Sequence, residues 1–178
     1  LADSPVAPLL RIADIAARQG DTQGARGLIE QADALSDSDW HSFHVRQAAA
    51  RLESRLGRVD ATIEQIRAGL EPAMKVLPPL SYGLAVYAPL AGAYLETEDY
   101  DTAMAVVQEG RGLVQPPLND LLSVMEAYVL IRAGRIEEAR EARARAQAII
   151  DQLDLEMLRF QLSFLDAEFL EARGELVA

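Results

Sequence analysis

A short break recurs along this chain at nearly constant spacing, and that recurrence constrains the fold more than any single motif. Aligning Gln19-Gly20-Asp21, Leu56-Gly57-Arg58, Thr97-Glu98-Asp99, Ala133-Gly134-Arg135 and Arg173-Gly174-Glu175 gives spacings of 37, 41, 36 and 40 residues. The period is about 38, the range of stacked supersecondary repeats. Seven residues before each break stands an alanine: Ala13, Ala50, Ala91, Ala127 and Ala167. Five residues after the first four come Ala25, Thr62, Ala103 and Ala139, and twelve after come Ala32, Gly69, Gly110 and Ala146. Between these, nine after, sit Ile29, Ile66, Val107 and Arg143, an apolar slot that fails only in the last unit.

Small residues on both sides of a turn let two axes approach closely while larger apolar side chains fill in around them. The repeat therefore reads as a pair of antiparallel helices, the first closed by a glycine free to take positive φ. Composition agrees on the helix: Ala occurs 30 times and Leu 25 times in 178 residues, and strand-favouring residues are sparse. Helices are expected near residues 5–19, 22–35, 38–56, 59–75, 80–96, 99–113, 117–133, 136–152 and 155–173. One pair cannot bury both its apolar faces, so neighbours must stack.

The expected architecture is all-α: a right-handed α-α superhelix of about four and a half helix pairs, as one domain over 1–178. Its units run approximately 5–37, 38–77, 78–115 and 116–152, with a capping or truncated helix in 153–178. Glu156, Arg159, Asp166, Glu168, Glu171 and Arg173 would give that cap a polar outer face. The opening Leu1-Ala2-Asp3 lacks both an initiator Met and a signal-like segment, so an excised or processed piece is expected. Pro78-Pro79 and Pro116-Pro117 each precede a first helix, where a missing N–H costs little. Pro89 lies inside a helix and is expected to kink it by removing a bond to the carbonyl of Ala85, and Pro72 is expected to kink or end its helix in the same way.

This pattern resembles the tetratricopeptide repeat (TPR) over almost the whole chain. The matching residues are the first-helix alanines with Tyr94, Leu130 and Leu170 a turn later, the Gly-Asp or Gly-Arg break, then Ala25, Ala103 and Ala139, then Ala32 and Ala146. It departs from the family in period, which is usually about 34. The early first-helix aromatic is matched only by Tyr87, and Asp37 and Asp151 replace the proline that often closes a unit. The long units are most similar to those of bacterial regulators of the maltose-activator type and of sensory regions attached to signalling enzymes. The resemblance implies a concave face lined by first helices and a role in protein interaction. The carboxylate clamp of chaperone-binding members needs Lys and Asn on successive first helices. Here the only lysine, Lys75, ends a second helix, and the only asparagine, Asn119, follows a Pro pair.

Charge and chemistry narrow the function further. Seventeen basic residues against 28 acidic give a net charge of −11, which disfavours direct contact with nucleic acid or an anionic membrane. No apolar run reaches the ~20 residues of a bilayer-spanning helix. Sixteen of the 17 basic residues are Arg, which suggests a GC-rich bacterial genome. Absence of Cys is compatible with the cytosol or an oxidising space, and the cytoplasm is the expected compartment with the periplasm left open. His41 and His44 share a helix face, but a metal needs further ligands, and Asp37 and Asp39 are better read as capping that helix. Trp40 is expected to pack the turn beside Phe43. None of the eight serines sits in a nucleophile elbow, and Gly20-Asp21-Thr22-Gln23-Gly24 and Gly110-Arg111-Gly112 lack a following Gly-Lys-Ser/Thr. No catalytic residue, metal or cofactor is expected.

What remains is surface. Positions ten, six, three and two before each break would face a groove, and they divide it into an arginine-rich first half and an apolar second half. The expected groove residues are Arg18, His44, Gln47, Arg51, Arg55, Leu95, Tyr128 and Arg132. Such a groove suits a protein or peptide segment with an acidic and an apolar end, Arg supplying bidentate bonds and Tyr128 a stiff amphipathic contact. The expected function is a non-enzymatic segment-binding module, the sensory or regulatory part of a larger bacterial signalling or transcriptional regulator. Alternatives are a self-association scaffold, homodimeric through the ends, and a small-ligand sensor with its pocket in the Pro89–Tyr128 region.

Overall fold

The computed structural model describes residues 4–172 and 174, and every element among them is helical. Expectations for Leu1-Ala2-Asp3, Arg173 and Glu175 lie outside the described residues. Contacts divide the chain into two compact units, Leu1–Pro78 and Pro79–Ala178, with the boundary inside the first Pro-Pro pair. The first unit holds α1 (Val6–Arg18), α2 (Thr22–Ala34), α3 (Asp39–Arg55), α4 (Val59–Ala68) and α5 (Leu70–Val76). The second holds α6 (Pro79–Tyr82), a π-helical turn (Gly83–Tyr87), α7 (Ala88–Leu95), α8 (Tyr100–Leu113), a 3-10 turn (Leu118–Leu122), α9 (Ser123–Arg132), α10 (Ile136–Gln152) and α11 (Glu156–Ala172).

The four described breaks share one backbone device. Gly20, Gly57 and Gly134 take φ of 87°, 67° and 74°, and Glu98 takes 58°. At each, two N–H groups turn back onto the last carbonyls of the preceding helix: Asp21 to Ala16 and Gly20 to Ala17, then Arg58 to Glu53 and Gly57 to Ser54. Asp99 to Tyr94 with Glu98 to Leu95, and Arg135 to Leu130 with Gly134 to Ile131, repeat the pattern, all at 2.8–3.2 Å. This double closure satisfies carbonyls that a helix end would otherwise leave open. Asp21 and Asp99 then cap the following helices, accepting from the N–H groups of Gly24 and Thr102. The next helix begins one residue later, so the two are forced into a hairpin.

The small residues sit where those hairpins close. Ala13, Ala50, Ala91 and Ala127 are buried, as are Ala25, Thr62, Ala103 and Ala139 after the break and Ala32, Gly69, Gly110 and Ala146 beyond. In the first unit Ala13 shares a cluster with Ala25, Ile29 and Ala32. In the second Ala127 shares one with Ala139, Ala142 and Ala146. A Cβ at Gly110 would stand 2.8 Å from Cβ and Cγ of Tyr87, so α8 approaches the π-turn more closely than an alanine allows. Within each unit a first helix touches its own second helix and the first helix of the next pair: α1 with α2 and α3 in one, α9 with α10 and α11 in the other. That is the contact pattern of stacked hairpins.

Two buried glutamates stitch these contacts. Glu53 lies 2.7 Å from Arg26 and 3.4 Å from Arg58, and Glu126 lies 2.6 Å from Arg111 and 3.0 Å from Arg145. Each carboxylate is thereby paired twice, which a buried charge requires.

Several expectations need correction. The helix expected over 59–75 is two helices that part at Gly69, in keeping with the disturbance expected at Pro72, which can give no N–H to the carbonyl of Ala68. Pro89 does not simply kink its helix: the turn before it widens to π, with the Ala88 N–H reaching Gly83, which absorbs the bond missing at Ala85. The helix expected from 117 opens as a 3-10 turn, and α9 starts only at Ser123. Ser38, not Asp37 or Asp39, caps α3, accepting from the His41 N–H at 3.2 Å. Finally, the outer face of α11 is not wholly polar. Phe160 is 77% exposed there, Phe164 and Leu170 are exposed too, and Ala167 lacks the burial of its four equivalents.

Candidate functional site

In the first unit, α1 and α3 bring together three of the expected groove residues. Asp14 accepts from Arg18 Nε at 2.9 Å and from Arg55 Nη2 at 3.2 Å. Arg51 lines the shallow depression beside them with Leu10, Ala17 and Leu52, and makes no ion pair among the described residues. Three guanidiniums thus face one carboxylate, and Arg51 keeps its fork of donors open to solvent. The two pairs that form are exposed and contribute little to stability.

Gln47 and His44 lie one and two turns up the same helix from Arg51. The His44 ring stands edge-on to Trp40 at 4.4 Å and 5.2 Å from Phe43. Burial and the nearby Arg51 charge lower its pKa below the ordinary histidine value, with a hydrogen bond to Gln47 opposing them. The imidazole is therefore neutral at physiological pH, and it adds no positive charge to the face. Trp40 is 41% exposed, so it caps the His44 ring rather than filling the turn. His41 turns the other way, its Nδ1 2.7 Å from Asp37, and among the described residues no group of three or more His, Asp or Glu side chains could hold a metal ion.

The second unit carries a different surface. Tyr128 on α9 accepts a hydrogen bond from Arg132 Nη1 at 3.3 Å, and its ring centroid is 5.9 Å from that of Phe164 on α11. These rings line an apolar cleft of about 410 Å³, with Leu84, Met125, Phe160 and Leu165 among its other walls. Arg132 stands exposed next to Tyr128, and its charge also opposes the rise that burial and Glu171 impose on the Glu168 carboxyl. Leu95, expected in the groove, is only 2% exposed and is corrected to a core residue. It lies on the covered side of α7, with Leu90, Ala91 and Ala93 buried beside it, while Pro89 is the exposed residue of that helix.

The expected residues thus resolve into two local groups, Arg18, His44, Gln47, Arg51 and Arg55 in one unit and Tyr128 and Arg132 in the other. The sequence reading missed Leu84, Met125 and Phe160. Extending the groove series one turn further up, to fourteen before the break, would have found Leu84 and Phe160. Neither surface gathers a nucleophile with a base beside it, and both offer apolar area, hydrogen-bond donors and positive charge.

No family model matches this chain, and no curated protein matches it. Two solved structures do, both of a kinesin light chain-like protein of Podosopora anserina with nearly identical TPR-like repeats. A single-substitution variant of that protein is similar to this chain with a TM-score of 0.68 and 19% identity over 97% of this chain and 88% of that one. The unsubstituted protein gives 0.67 and 18% over the same shares. At such identity the likeness is one of fold, and the fold is an all-α helical repeat of the TPR-like kind.

Proposed function

We propose that this chain is a non-enzymatic helical-repeat module that binds protein or peptide segments, the α9–α11 cleft of the second unit taking an apolar stretch and the α1–α3 arginines of the first unit taking, in their own right, acidic residues. The observation that carries this reading is the cleft beside Tyr128. Its volume lies within the range of about 300–1,000 Å³ typical of binding pockets, and its walls combine aromatic and Met side chains with one hydroxyl. TPR-like folds generally serve as interaction scaffolds and not as enzymes, which supports the same class. Placing the module in a larger bacterial signalling or transcriptional regulator rests on the similarity of its long units to those of maltose-activator-type proteins and on its arginine-dominated basic residues. A small-ligand sensor is the second reading, favoured by the same volume.

A displayed library of random 15-residue peptides tests the proposal. The chain should enrich two kinds of sequence, one rich in Leu, Phe or Met and one rich in Asp or Glu. Arg51→Glu with Arg55→Glu should abolish the acidic preference, and Tyr128→Ala with Phe164→Ala the apolar one, each weakening binding about tenfold or more. A library that yields no enriched sequence sinks the reading. Thermal stabilisation by small apolar compounds in that case would favour the sensor.

A further inference from the structure

The first helices of this chain all carry one stripe, fourteen, eleven, seven and four residues before the break, and all but the last bury most of it. In α9 the stripe includes Ser123, Ala127 and Leu130, all buried, Leu130 to 4% exposure, and α10 packs on that helix. In α1 it begins at Val6 and reaches Ala13, both closed into the cluster with Ala25, Ile29 and Ala32 of α2. In α11 the same positions are Phe160, Ser163, Ala167 and Leu170. All four are exposed, Phe160 to 77% and Leu170 to 41%. The opposite side of α11 is in order, with Leu162 and Leu165 buried in the cluster that α9 and α10 share.

We propose that this stripe of α11 is the seat for one further amphipathic helix with the pattern of the chain's own second helices: a small residue, an apolar residue four later and a small residue three after that. Three second helices define the occupant. α2 carries Ala25, Ile29 and Ala32, α8 carries Ala103, Val107 and Gly110, and α10 carries Ala139 and Ala146. In α10 the middle slot is Arg143, held by two bonds to Asp166 of α11, so α10 already packs on α11 through another side. Gly174 supplies an independent sign. It takes φ of 69° and donates to the Glu171 carbonyl at 2.9 Å, as Gly20, Gly57 and Gly134 do where a second helix comes onto this stripe. The occupant therefore lies antiparallel to α11, its small residues letting the two axes approach along Ser163 and Ala167 and its larger apolar side chains filling in beside them. This seat shares Phe160 with the cleft, which Ala167 and Leu170 do not line.

A peptide of residues 135–152 carrying Arg143→Ile restores the full pattern and serves as the probe, fluorescently labelled and titrated with the whole chain. Saturable binding is expected, weakened about tenfold by Ala167→Arg or Leu170→Glu in the protein and by Ala139→Arg in the peptide. Both protein positions are exposed, so the variants should keep the wild-type Tm, and slowed amide exchange in α11 should accompany binding. Tyr128→Ala should leave the titration unchanged, so a failure of the cleft reading does not decide this one. No binding up to about millimolar peptide, or binding indifferent to Ala167→Arg, overturns the proposal. So does a dimer of the chain that Ala167→Arg dissociates, since a second copy would then be the occupant.

Discussion

The α1–α3 face of the first unit and the α9–α11 face of the second occupy equivalent places in the repeat and have opposite chemistry. Asp14, Arg18, Arg51 and Arg55 crowd one, while Tyr128, Phe160 and Phe164 line the other. Beneath both runs the same set of buried small residues and the same break. The contrast separates two sets of positions: those that hold hairpins together admit almost no variation in size, and those one face away vary from guanidinium to phenyl without changing the fold.

The sharpest way to break that division is to enlarge a buried position and invert an exposed one. Ala139→Leu, fully buried among Ala127, Ala142 and Ala146, is expected to cost about 1–3 kcal/mol by overpacking, read as a fall in the urea midpoint. Arg51→Glu should change that midpoint by no more than about 0.5 kcal/mol. Equal losses would mean that the exposed face also holds the fold.

A smaller effect sharpens the comparison at the breaks. Glu98 does with a side chain what Gly134 does without one, at φ of 58° against 74°. Gly134→Ala should lower stability by about 1 kcal/mol, and Glu98→Gly should raise it by about 0.5 kcal/mol, the relief of left-handed strain being offset in part by a more flexible unfolded chain. Thermal melts of the two variants check both signs.

The smallest effect belongs to His44. Its folded pKa lies below the unfolded one, so the unfolded state takes up protons first and the neutral ring stabilises the fold above about pH 6.5. That contribution is lost as pH falls through the lowered folded value. The melting temperature of the wild type should therefore drop more between pH 7.5 and about pH 5 than that of His44→Phe. Identical slopes would mean that the ring is solvated in both states.

Legibility followed the range of the interactions. Ala91, Ala103 and Gly110 could be read because helix pairing across a short turn is local and leaves no room for a larger side chain. Leu95 was misjudged because its helix carries no polar face by which to orient it, and only the neighbours around it show which side is covered. The pairing of Arg55 with Asp14 joins residues 41 apart, a distance at which spacing along the chain says nothing about contact. Pro89 announced a disturbance, but whether the backbone bends or widens to a π-turn depends on how closely α8 comes, which Gly110 and Tyr87 settle together.

The amino-acid order alone determined that this chain is helical, where its hairpins turn and which residues meet inside them, because those outcomes depend on helix period, glycine at a turn and side-chain size within one repeat. Tertiary structure decided which outward positions are covered. Exposure belongs to a residue only through the neighbour that packs on it, and Ala127 and Ala167, the same residue at the same place in the repeat, end buried and bare because α10 lies over one and no described helix over the other.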